Sequence, residues 1–74
     1  MKIPLISGID VIKRLKKAGF IVVRQKGSHV RLEKFNGENT IKLTVTLHSE
    51  LKKGTLSRII KDASLTLEEF EQLK

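Results

Sequence analysis

Residues 22–35, VVRQKGSHVRLEKF, hold two arginines, two lysines and one of the two histidines in the chain. His29 follows a Lys26-Gly27-Ser28 turn and opens a strand-like run. A lone exposed histidine at a strand end is common and needs no function. Imidazole, however, titrates near neutral pH and can take or give a proton. A phosphodiester next to a ribose 2′-hydroxyl brings its own nucleophile. Its cleavage needs a base for that hydroxyl, positive charge for the crowded phosphate, and a proton for the departing 5′-oxygen. Arg24 and Arg31 supply the planar fork that matches phosphate oxygens. Lys26 adds a third charge, Gly27 lets the backbone come close, and Ser28 offers a hydroxyl donor. His29 is thus the candidate catalytic residue, and its neighbours are candidates for holding RNA.

His48 is the other histidine, at the end of the run TIKLTVTLH, and is a candidate second proton carrier or RNA contact. The stretch LKKGT places Lys52, Lys53 and Thr55 at a helix start, where free backbone N–H groups and lysines suit a phosphate. The order of a Walker loop is absent. The run Lys13, Arg14, Lys16, Lys17 reads as a solvated helix face that adds non-specific affinity. Glu68, Glu69 and Glu71 complement the dipole at the start of a final helix. No Asp, Glu or His group has metal-ligand spacing. No Gly-x-Ser-x-Gly elbow and no cysteine is present. Any catalysis is therefore expected to be metal-free and without a cofactor.

Charge narrows the partners. Residues 1–61 hold fourteen basic and four acidic side chains, a net of +10, whereas residues 62–74 carry a net of −3. A body so cationic attracts polyanions, most commonly nucleic acid. The 74 residues suffice for one domain with a thin core, expected to span 1–74, and leave no room for a deep substrate cavity. The lack of cysteine excludes disulfides and fits a reducing, cytoplasmic setting. The apolar run near the N-terminus is too short for a signal peptide and is broken by Pro4, and no stretch could span a bilayer.

These groups must be positioned by a small set of elements. Ser7 and Asp10 have capping-box spacing, and Val11, Leu15 and Ala18 follow at helical intervals, so a helix is expected from about Gly8 to Ala18. Gly19 ends it. FIVVRQ, HVRLEKF and TIKLTVTLH read as strands, the last two with clear alternation. NGEN is a hairpin loop. Thr55 is expected to cap a second helix carrying Leu56, Ile59, Ile60 and Ala63. Thr66 and Glu69 form another capping box, before a short helix with Leu67, Phe70 and Leu73 on one stripe. One apolar face per strand needs one helical layer. The expected fold is α+β, ordered α-β-β-β-α-α, with a three-stranded antiparallel sheet and helices on one face.

Strand register decides which side chains meet. Pairing Phe35 with Thr40 sets Leu32 opposite Leu43, Val30 opposite Val45 and His29 opposite Thr46. The tighter loop would set Arg31 opposite Lys42, which like charge disfavours. His48 is then expected diagonal to His29 on the polar face. In the first hairpin, a turn centred on Lys26 and Gly27 would pair Ser28 with Gln25 and bring Arg24 opposite His29.

With these residues in view, the chain resembles the HicA toxins, the mRNA-cleaving halves of HicA/HicB toxin–antitoxin pairs. KRLKKAGFIVVRQKGSHV resembles the family's first helix, strand entry and Gly-Ser-His segment. LTVTLHSELKKGTLSRIIKDASLTLEEF resembles its third strand, following histidine, Lys-Gly-Thr-Leu helix start and closing acidic-aromatic helix. The likeness runs from about Ser7 to Phe70. One departure is Thr46, where members often have proline. The resemblance implies a fold similar to the double-stranded-RNA-binding domain. It also implies ribosome-independent endoribonuclease activity on mRNA, with the catalytic histidine at His29, and a HicB-like antitoxin covering that surface. Two other functions suit the same charge: a non-catalytic RNA-binding module, and an adaptor whose basic face docks an acidic protein.

Overall fold

The computed structural model describes residues 6–73; the apolar run at residues 1–5, with Pro4, and the outer bounds of the expected domain lie outside them. The order is α1 (Gly8–Lys17), β1 (Ile21–Lys26), β2 (His29–Phe35), β3 (Thr40–Thr46), α2 (Lys53–Asp62) and α3 (Leu67–Glu71). The three strands form one antiparallel sheet in the order β1-β2-β3. This is the expected α+β architecture of the double-stranded-RNA-binding type.

Each helix forms where its boundary chemistry permits. Ser7 caps α1, its hydroxyl oxygen accepting from the Asp10 N–H at 3.1 Å. Val11, Ile12 and Leu15 are buried, while Lys13, Lys16 and Lys17 face solvent. Gly19, at φ +105°, takes the left-handed conformation that stops the helix and delivers Phe20 to the core. Thr66 and Glu69 form the reciprocal capping box of α3.

α2 departs from expectation. It begins at Lys53 with Lys52 as its N-cap, and Thr55 lies inside the first turn. Leu51 explains the earlier start. Its side chain is buried, and its N–H donates to the Ile6 carbonyl at 3.0 Å, so the chain is anchored immediately before Lys52. The first i→i−4 bond runs from the Leu56 N–H to the Lys52 carbonyl.

The core lies between the sheet and the helices. Val30, Leu32, Leu43 and Val45 point inward from β2 and β3 to meet Val11, Leu15, Leu56, Ile59, Ile60 and Phe70. Arg14 lies over the Phe70 ring at 4.9 Å and ties α1 to α3. Gly8 is buried where α1 meets the end of β3. A Cβ at this position would collide with the Thr46 carbonyl and crowd the Leu47 backbone. The glycine is what allows the helix to approach so closely, and its N–H donates to the His48 carbonyl at 2.9 Å.

Candidate nucleic-acid interface

The second hairpin takes the expected register. Phe35 pairs with Thr40, Glu33 with Lys42, Leu32 with Leu43, Arg31 with Thr44, Val30 with Val45 and His29 with Thr46. The Asn36 side chain holds the loop by accepting from the Glu38 and Asn39 N–H groups.

The first hairpin differs from expectation by one residue on each strand. Lys26, not Arg24, lies opposite His29; Gln25 pairs with Val30, and Arg24 faces Arg31. The turn is centred on Gly27 and Ser28, not on Lys26 and Gly27. Gly27 has φ +60°, the left-handed backbone a two-residue hairpin needs at its first central position. Holding Lys26 there instead would cost about 1–2 kcal/mol. Directly opposed like charges cost less, about 0.2–1 kcal/mol. Turn chemistry therefore sets the register, and the arginines oppose each other as a result. A bulge at Val23 then shifts the pairing so that Val22 meets Leu32 and Ile21 meets Glu33.

Alternation along β2 puts His29 and Arg31 on the face turned away from the helices, and both are exposed. Arg24 and Lys26 share that face through their pairing. Two consecutive rungs of the outer face thus carry Lys26 beside His29 and Arg24 beside Arg31. Glu33 reaches Arg31 at 4.0 Å across exposed surface, too loosely to neutralise the cluster. The turn beneath is well anchored. The Ser28 carbonyl accepts from the Leu47 N–H at 2.7 Å, and the Gly27 carbonyl accepts from the Gln25 side-chain amide at 3.2 Å.

His48 is not a strand residue. β3 ends at Thr46, and His48 lies exposed on the connection to α2, two residues beyond the strand end. It lines a hollow of about 280 Å³ with Thr46, Glu50, Leu51, Lys52 and Thr55. Thr46 is also the cross-strand partner of His29, so the hollow continues the cationic face past the end of the sheet. Lys53 is exposed at the first helical position but does not line this hollow. The N-terminus of α2 has no side-chain cap, which leaves its first N–H groups free for an anion.

Sequence patterning did not single out Phe35 or Gly8. Phe35 ends β2 on the open face and is 70% exposed. The alternation of HVRLEKF, continued to its last residue, is the signal that places it on the His29 face. The close approach at Gly8 is a tertiary contact with no local signature. Among the described residues, no three His, Asp or Glu side chains gather to hold a metal, and no helix is long and apolar enough to cross a membrane.

The fold and this open cationic face define a small α+β domain of the double-stranded-RNA-binding type. The family model described as "HicA toxin of bacterial toxin-antitoxin" matches residues 8–65. The chain therefore belongs to the HicA toxin family, and a toxin of a toxin–antitoxin system implies a partner antitoxin. No curated protein matches the chain.

Proposed function

We propose that the chain is a metal-independent, ribosome-independent endoribonuclease that cleaves mRNA at the face carrying His29. The observation that carries this is the pairing of Lys26 with His29 beside Arg24 with Arg31 on open sheet. Opposed cations on neighbouring strands work against folding, and a phosphate between them turns that repulsion into binding.

His29 removes the proton of the 2′-hydroxyl as general base. The 2′-oxygen then attacks phosphorus, and the bond from phosphorus to the 5′-oxygen breaks. One fragment ends in a 2′,3′-cyclic phosphate; the other leaves as an alkoxide that takes up a proton. Arg24, Arg31 and Lys26 stabilise the negative charge that gathers on the phosphate in the transition state. Gly27 keeps the turn free of a side chain, and Ser28 offers a hydroxyl donor. His48 is the candidate donor of the leaving-group proton. Lys52, Lys53 and Thr55, at the start of α2, hold the backbone of the adjoining nucleotides. No step requires a metal or a cofactor. A HicB-like antitoxin neutralises the enzyme by covering this face, and the setting is cytoplasmic.

The test is incubation of purified protein with a long RNA in EDTA. Cleavage by the natural chain and none by His29→Ala is the expected result. Loss of cleavage on chelation contradicts the metal-free mechanism. RNA binding without cleavage by the natural chain makes it an RNA-binding module instead.

A further inference from the structure

Two of the three phenylalanines belong to the core: Phe20 is 2% exposed and Phe70 is 0% exposed. Phe35, the last residue of β2, is 70% exposed. It lies on the outer face of the sheet, six residues along the strand from His29. Ile21, 63% exposed, pairs with Glu33 and so lies diagonal to Phe35 on that face. The rest of the face is net cationic: Arg24, Lys26, Arg31 and Lys42 outnumber Glu33, with Thr40, Thr44 and Thr46 between. A scattered exposed apolar side chain would need no explanation. A ring at one end of a positive ribbon, with a proton-transfer group at the other, is different. It provides both parts of a single-strand binding surface, a charged track for phosphates and a π-face for a base.

We propose that Phe35 stacks a nucleobase of the substrate, with Ile21 against the edge of the stack, while the scissile phosphate sits at His29. Six residues of strand at about 3.3 Å each separate the two by about 20 Å, a few nucleotides of extended chain. The bases of a duplex are already stacked on one another and cannot reach the ring. The substrate is therefore single-stranded, and it is cut at a fixed distance from the base that Phe35 holds. This assignment rests on the ribonuclease function proposed above and deepens it. The charge of the face favours RNA as the occupant. A protein docking here would use Phe35 only as apolar surface, which leucine also provides.

The chain has no tryptophan or tyrosine, so a single tryptophan reports cleanly. In full-length protein carrying His29→Ala to prevent cleavage, Phe35→Trp is titrated with a short single-stranded oligoribonucleotide and with its duplex. Saturable quenching by the single strand and none by the duplex is expected. In otherwise natural protein, Phe35→Leu should raise KM about tenfold, as loss of a base–aromatic stack does, and leave kcat unchanged. Phe35→Tyr should behave as the natural chain. An unquenched tryptophan, equal quenching by duplex, or an unchanged KM for Phe35→Leu overturns the assignment. So does a Phe35→Leu variant that loses antitoxin affinity alone, which gives the ring to a protein partner. If the natural chain cleaves while Phe35→Leu keeps its KM, the stacking role fails and the ribonuclease stands. If the natural chain neither binds nor cuts RNA, both fail.

Discussion

Arg24 stands directly opposite Arg31 across β1 and β2, on the open face of the sheet. Nothing in the fold requires two cations there, since both side chains face away from the core. On the function proposed above, the pair trades some stability of the folded state for a grip on phosphate.

Replacing Arg24 by threonine should therefore have opposite effects on stability and binding. Loss of like-charge repulsion should stabilise the fold by about 0.2–1 kcal/mol. In a domain of this size that is a rise of a few degrees in Tm, about 4–8 °C per kcal/mol, and it should shrink as salt is added. RNA affinity should fall, with about one phosphate contact fewer in the salt slope. Paired thermal melts and salt-dependent binding check both. A variant that is no more stable at low salt, or that binds RNA equally well, would show that the opposed arginines carry no functional strain.

The uncapped start of α2 makes a parallel case. Lys52 occupies the N-cap and contributes no side-chain hydrogen bond. Serine is a far better cap, so Lys52→Ser should stabilise the protein by about 0.5–1 kcal/mol. If Lys52 holds an RNA phosphate, affinity should drop and the salt slope should fall by about one. Unfolding in urea and an RNA titration measure the two effects. Unchanged affinity would remove Lys52 from the interface.

Gly8 should tolerate no side chain. A methyl group there meets the Thr46 carbonyl and the Leu47 backbone, neither of which can rotate away. Gly8→Ala should cost about 1–3 kcal/mol, as overpacking does. It should also disturb the segment carrying His48, because the Gly8 N–H is bonded to the His48 carbonyl. A urea midpoint equal to that of the natural protein would contradict the close approach.

An antitoxin that silences this face must bury His29. The chain has two histidines, both exposed, so diethyl pyrocarbonate followed by mass spectrometry can follow each separately. In the toxin–antitoxin complex, His29 should react much more slowly than in the free toxin. A silenced complex in which His29 keeps its free rate would place the antitoxin on another surface.

Much of this architecture could be read from residue order, for reasons that differ between elements. α1 and α3 announce themselves through Ser7 and Thr66, because a capping oxygen acts within three residues. The second hairpin was legible because Leu32–Leu43, Val30–Val45 and the loop of residues 36–39 agree on one register. The first hairpin is less legible, because Lys26-Gly27-Ser28 offers two turn centres one residue apart. The left-handed backbone at Gly27 puts the glycine at the first central position and so selects the centre at Gly27 and Ser28. The Val23 bulge and the Gly8 contact depend on partners distant in sequence. His48 falls outside the strand although alternation continues through TIKLTVTLH, because β3 ends at Thr46 and the His48 carbonyl bonds the Gly8 N–H at the start of α1.

The most direct measurement is single-turnover cleavage of a long single-stranded RNA in EDTA by the natural protein and by His29→Ala, with RNA affinity measured on both. General base catalysis by His29 predicts a rate lower by about 10²–10⁴-fold in the variant, with affinity retained and 2′,3′-cyclic phosphate ends on the natural enzyme's products. Cleavage by His29→Ala at the natural rate would contradict it.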